Sequence, residues 1–203
     1  MSLQQPVTAS PAPPPETASE NAPRQGLGKT PSAGKQATPA GKEGAARALG
    51  RSEPVELRIP AIDMHTTQLV PLGIQPGGKI EVPEENDTVG WYKKGPTPGQ
   101  FGPAVMGGHV DSDAGPAVFY SLGELRPGDQ VTVRRADGTT VVFTVYAVEQ
   151  YPKNDFPTQK VYAPANNRAE LRLITCGGTF NDDTQHYRSN IVVYAKLTST
   201  SRT

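Results

Sequence analysis

Cysteine is almost missing from this chain: among 203 residues there is one, Cys176. A single thiol closes no intramolecular disulfide and supplies no thiolate cluster, so neither a disulfide framework nor a multi-cysteine metal site explains it. Net charge is missing too, because Lys plus Arg and Asp plus Glu each number 20. A balanced chain lacks the basic excess expected of a nucleic-acid binder. Long apolar runs are also absent. No stretch approaches the ~18 residues of a membrane span, and Met1-Ser2-Leu3-Gln4-Gln5 lacks the charged-then-apolar order of a secretory signal. The chain as it stands reads as soluble, which implies either a cytosolic protein or one whose targeting segment lies upstream.

Aromatic residues are absent from residues 1–53, where Pro, Ala, Gly, Ser and Thr dominate. Such a segment cannot bury enough apolar surface to offset the entropy of ordering it. The expectation is a disordered, partly extended Pro/Ala/Gly-rich linker over 1–53.

What is present begins at Pro54. Val55, Leu57 and Ile59 alternate with Glu56 and Arg58, the period-two mark of a half-buried strand. Val131-Thr132-Val133-Arg134 and Val141 to Val148 flank Asp137-Gly138, a hairpin signal because glycine supplies the positive φ a tight turn needs. Ile191 to Ala195 is a last β-branched run, and Gly/Pro turns such as Pro76-Gly77-Gly78 and Pro127-Gly128-Asp129 separate the strands. Many short strands with dense turns and no sustained helical period predict one all-β domain over 54–198, a closed β-barrel with short helices and long loops. A helical turn is expected near Pro116 to Leu122, and a disordered tail over 199–203.

Three places on this frame carry chemistry. Cys176 ends the run Leu171-Arg172-Leu173-Ile174-Thr175 just before Gly177-Gly178, so a strand end presents a thiol, a candidate nucleophile. Its bland alternative is a small buried hydrophobe. His109 follows Val105-Met106-Gly107-Gly108 where a strand leaves the sheet, and imidazole exchanges a proton readily near neutrality. Asp111 or Asp113 would be able to orient the ring, and a purely structural histidine is the alternative. Arg188, directly before the last strand, offers fixed positive charge to a developing oxyanion, or is simply a surface arginine. The rival use of these atoms is a zinc site from His109, Cys176 and His186 or His65, but no pair has ligand spacing.

Taken together, Gly107-Gly108-His109-Val110-Asp111, then Leu173-Ile174-Thr175-Cys176, then Arg188 before a β-branched strand resemble the sortase family of cysteine transpeptidases. Supporting segments run in the same order from Pro54 to Leu197: Leu57-Arg58-Ile59-Pro60, Val89-Gly90-Trp91-Tyr92 and Leu125-Arg126-Pro127-Gly128-Asp129. The Tyr187-Arg188-Ser189-Asn190 context and Gly177-Gly178 look most like the class F sortases of actinobacteria. One departure stands out. The family signature is Thr-Leu-X-Thr-Cys, and Arg172 occupies its first place, on the face of Ile174 and Cys176 if the strand is regular. The expectation is that Arg172 lies at the far, solvated end of that strand.

The resemblance implies a mechanism and partners. Cys176 would attack the threonine carbonyl of an LPXTG-type sorting signal, and an amine from a cell-wall precursor or a pilin would resolve the thioacyl enzyme. His109 would move the protons and Arg188 would hold the oxyanion. Phe156, Val161 and Tyr162, in the segment before the cysteine strand, and Thr175 beside the cysteine would meet the substrate, though the first three could equally cap the core. No cofactor and no metal are implied, and no nucleic-acid partner. The family is anchored at the extracytoplasmic face of the cell membrane by an N-terminal span, for which residues 1–53 would be the linker. Two alternatives are an L,D-transpeptidase-like acyl-transferase, whose Ser-His-Gly-Cys motif is absent, and a catalytically silent surface domain on a stalk.

Overall fold

The computed structural model describes residues 48–75, 80–163 and 167–202. Its strands in chain order are β1 (Pro54–Ile59), β2 (Met64–Thr66), β3 (Leu69–Leu72), β4 (Val89–Tyr92), β5 (Gly102–Gly107), β6 (Asp111–Ser112) and β7 (Gly115–Pro116). Then come β8 (Gln130–Arg135), β9 (Thr139–Pro152), β10 (Ala169–Asn181) and β11 (His186–Arg202). The one α-helix among the described residues is α1 (Thr158–Tyr162). Three 3-10 turns accompany it, and the one at Leu122–Glu124 lies at the end of the stretch expected to turn.

Nine strands form one sheet in the order β2-β1-β8-β9-β11-β10-β5-β4-β3. Its two edges, β2 and β3, are joined in the chain by Thr67 and Gln68 alone, so the sheet must curl until its ends nearly meet. The result is a nearly closed barrel. Side chains that alternate along each strand fill it: Leu57 and Ile59 of β1, Val131 and Val133 of β8, Val141 and Phe143 of β9, Leu171 and Leu173 of β10. All are fully buried. Burial of each such side chain stabilises the fold by about 1.5–3 kcal/mol.

The β8–β9 hairpin turns at Ala136-Asp137-Gly138, with Gly138 at φ +78. There the Thr139 N–H donates to the Asp137 carboxylate at 2.9 Å and Arg135 pairs with it at 3.0 Å. The Thr139 amide is the main reason the Asp137 carboxyl lies below its ordinary value.

Both ends of the domain reach further than the composition implied. The 1–53 linker expectation fails at its C-terminal end. Leu49 packs on the core, and the buried Arg135 guanidinium donates to the Gly50 carbonyl at 2.6 Å and the Pro98 carbonyl at 2.8 Å. Ser52 N–H meets the Thr97 hydroxyl at 3.1 Å. Residues 1–47 lie outside the described residues. The tail expected from 199 is instead the end of β11, where Ser199 to Arg202 pair with Val142 to Thr139 of β9. Strand pairing satisfies backbone groups that a free tail would leave to water, and polar side chains do not oppose it. Thr203 and the Pro76-Gly77-Gly78 turn lie outside the described residues.

A second, smaller core lies on the outer face of β9, β11 and β10. Val192, Tyr194 and Val161 are its buried members, with Ile174, Tyr151, Phe156 and Tyr162 packed against them. α1 has five residues and no side-chain cap at its start. A helix so short has little stability alone, and burial of Val161 holds it on the sheet.

Candidate active site

The register of the sheet sets out the site in rows. β10 runs parallel to β5, pairing Arg172 with Val105 and Ile174 with Gly107. The Gly108 N–H still donates to the Ile174 carbonyl at 3.2 Å, and His109 follows directly after β5 has ended. On the other side β10 runs antiparallel to β11, with Ile174 opposite Val192 and Cys176 opposite Asn190, and Asn190 in turn lies opposite Tyr151 of β9. Directly paired residues share a face. One row across three adjacent strands therefore reads Cys176, Asn190, Tyr151. Arg188 lies two residues before Asn190 on β11, where the register with β10 shifts between Gly177 and Phe180.

Cys176 is half-buried and its thiol is free. It does not end its strand outright, as the glycine pair suggested. Pairing with β5 stops at Ile174, whereas pairing with β11 continues to Asn181 across an irregularity between Gly177 and Phe180. Gly178 occupies that irregularity at φ +77, where a side chain would be strained. Cys176 is thus fixed on one side and open on the side facing His109.

His109 is partly buried, and its Nε2–H donates to the Pro83 carbonyl at 2.7 Å. A carbonyl only accepts, so this bond puts the hydrogen on Nε2 and leaves Nδ1 as the basic nitrogen of the neutral ring. The orienting group is this carbonyl, not the neighbouring carboxylates. Asp111 accepts from the Tyr187 hydroxyl instead, and Asp113 is exposed. The Tyr187–Asp111 bond ties the start of β11 to the segment after His109 and is the main reason the Tyr187 phenol lies above its ordinary value. Gly108 has no room for a side chain, since a Cβ there would lie 2.7 Å from Val118.

Arg188 is exposed and lines a cleft with Lys153, His186, Gln150 and Thr179. Among the other expected residues, Phe156 and Tyr162 are half-buried against the Val161, Val192 and Tyr194 cluster, their rings 6.2 Å apart. Val161 is fully buried beneath them and supports the surface they form. Thr175 faces inward at 3% exposure and donates its hydroxyl to the Gly108 carbonyl at 2.9 Å, so it fastens the histidine segment to β10 and has no free face for a substrate.

Arg172 corrects the sequence reading most sharply. It is 4% exposed, not solvated, and pairs with the Glu170 carboxylate. Its guanidinium stacks 4.6 Å from the Tyr194 ring centroid and 6.0 Å from that of Tyr146. The outer face of β10 is roofed by tyrosines from β9 and β11, so a cation there is held by an anion and by ring faces.

His65 lies on β2 and meets Glu56 at 3.0 Å, and His186 is exposed in the β10–β11 hairpin. Among the described residues no three His, Cys, Asp or Glu side chains gather as metal ligands would.

The sequence profile of the sortase domain matches residues 57–198. The chain belongs to the sortase family. Sortases are cysteine transpeptidases, and solved sortases share this fold. Sortase A from Corynebacterium diphtheriae, a lid mutant, is 19% identical with a TM-score of 0.55, the match covering 73% of each chain. The SrtA sortase from Actinomyces oris is 19% identical with a TM-score of 0.54, covering 77% of this chain and 86% of that one. Sortase C1 from Streptococcus agalactiae is 16% identical with a TM-score of 0.55, covering 71% and 66%. No curated protein matches. In this sortase no helix among the described residues is long and apolar enough to cross a membrane.

Proposed function

We propose that this sortase cleaves an LPXTG-type sorting signal after its threonine and transfers the threonine-bearing protein to a cell-wall or pilin amine. The observation that supports this most is that Cys176 lies on β10 between β5, after which His109 follows, and β11, which carries Arg188, in a sortase domain.

Chemistry at these atoms balances in two steps. The Cys176 thiolate adds to the threonine carbonyl, and the new Sγ–C bond puts negative charge on the oxygen, beside the Arg188 guanidinium. As the carbonyl re-forms, the Thr–Gly C–N bond breaks and the leaving amine takes a proton from Nδ1 of the His109 imidazolium. The incoming amine then gives a proton to Nδ1, attacks the thioester and restores the thiolate. Without an amine, water does the same, and the enzyme acts as an endopeptidase. Nε2 stays on the Pro83 carbonyl throughout, which leaves Nδ1 free to exchange protons.

Phe156, Tyr162 and Ile174, packed on the same small core, offer an apolar wall for the Leu-Pro portion of the signal. The Tyr187-Arg188-Ser189-Asn190 context supports a class F assignment within the family. Family membership supports action at the extracytoplasmic face of the cell membrane.

The test is cleavage of a quenched-fluorescent Leu-Pro-X-Thr-Gly peptide, mixed at X. Cys176→Ala should abolish cleavage, and Arg188→Ala should lower kcat/KM by about 10²-fold or more. Cleavage at the wild-type rate by both variants would overturn the assignment, leaving a silent surface domain.

A further inference from the structure

Asn190 is the side chain directly across from Cys176 on β11. Cross-strand partners hold their Cβ atoms about 4.5–5.5 Å apart, whereas Arg188 lies past Ser189, where the β10–β11 register shifts. A carboxamide is short and has two donors on one nitrogen, so its N–H reaches the space above the thiol without the flexible stem that Arg188 must order. Asn190 is half-buried, and among the described residues its side chain has no hydrogen-bond partner. Its neighbours are otherwise engaged: the Tyr151 hydroxyl bonds to Glu149 and to Tyr194. A half-buried carboxamide without a protein partner, set beside a free thiol, is where a substrate polar atom would be met.

We infer that Asn190 is a catalytic residue of this sortase, donating its carboxamide N–H to the scissile carbonyl oxygen as negative charge develops there. The inference rests on the transpeptidase reading and adds to it a neutral, preorganised donor beside the charged one of Arg188. Preorganised donors act on the transition state more than on bound substrate. The loss of Asn190 should therefore appear in kcat.

The experiment compares wild type, Asn190→Leu and Asn190→Asp on the same mixed Leu-Pro-X-Thr-Gly peptide, together with the pH profile of Cys176 alkylation by iodoacetamide. Both replacements keep the side-chain size and remove the donor. For Asn190→Leu, kcat should fall about 10²-fold with KM within about threefold and an unchanged alkylation profile. For Asn190→Asp, kcat should fall at least as far and the alkylation profile should move to higher pH, because a carboxylate beside the thiol disfavours the thiolate. If Asn190→Leu does not fold, the Asp variant alone decides. A kcat within about threefold of wild type in a folded variant, or an Asp profile that does not move, overturns the inference and leaves the transpeptidase reading standing. A wild-type enzyme that does not cleave the peptide overturns both.

Discussion

Arg172 stands where the family signature has threonine, and its burial makes it costly to disturb. Removing one partner of a buried ion pair leaves the other charge uncompensated, at about 3–5 kcal/mol. Arg172→Ala should accordingly destabilise the domain by about that amount in urea unfolding, and replacing both partners, as in Glu170→Leu with Arg172→Met, should recover most of it. If Arg172→Ala were as stable as wild type, the pair would not be buried as described. None of this was legible locally. The pattern Leu171-Arg172-Leu173 gives the facing of Arg172, but the tyrosines that cover it come from β9 and β11. Asn190 went unread for the same reason: its place opposite Cys176 is a matter of register, which no single segment reveals. Cys176, His109 and Arg188 each carried a bland alternative on local signals, and only the family resemblance joined them into one candidate site.

At the scale of elements, α1 is fastened to the sheet by an ionic clasp. Lys160 pairs with Glu149 of β9 at 2.6 Å and lies over the rings of Tyr151 and Tyr194 at 5.5 and 5.3 Å. The Lys160 contact, and next the Tyr151 hydroxyl, hold the Glu149 carboxyl below its ordinary value of 4.5. Burial, followed by the bond to Tyr151, pushes the Tyr194 phenol up. A carboxyl lowered in the folded state contributes stability above its ordinary value and loses it as pH falls through the lowered one. Both partners are partly exposed, so solvent screening keeps the contribution under about 1 kcal/mol. Wild type should therefore melt up to about 2–4 °C above Glu149→Gln at pH 7, and the gap should close as pH falls below the ordinary carboxylate range. A gap that widened on acidification would contradict the clasp. Strand periodicity made β1, β8, β9 and β11 readable, and Gly138 made the hairpin readable. The exact reach of β11 was not, because Thr198-Ser199-Thr200-Ser201 has neither the apolar alternation of a strand nor a breaker, and β9 decides its fate.

For the whole molecule, the curled sheet brings together residues distant in the chain. β5, β10 and β11 lie side by side although other strands intervene in sequence, and the three chemical groups ride on them or at their ends. A barrel-type domain was legible from strand count and turns, while the adjacency of those three strands was available only through the family resemblance. The central claim is that Cys176 carries the acyl group between donor and acceptor. The most direct measurement is intact-protein and peptide mass spectrometry after incubation with a Leu-Pro-X-Thr-Gly peptide in the absence of an amine. The predicted result is an added Leu-Pro-X-Thr acyl mass mapped to Cys176, lost in Cys176→Ala and discharged when an amine is supplied. Peptide cleavage with no adduct at Cys176, or an adduct on another residue, would contradict it.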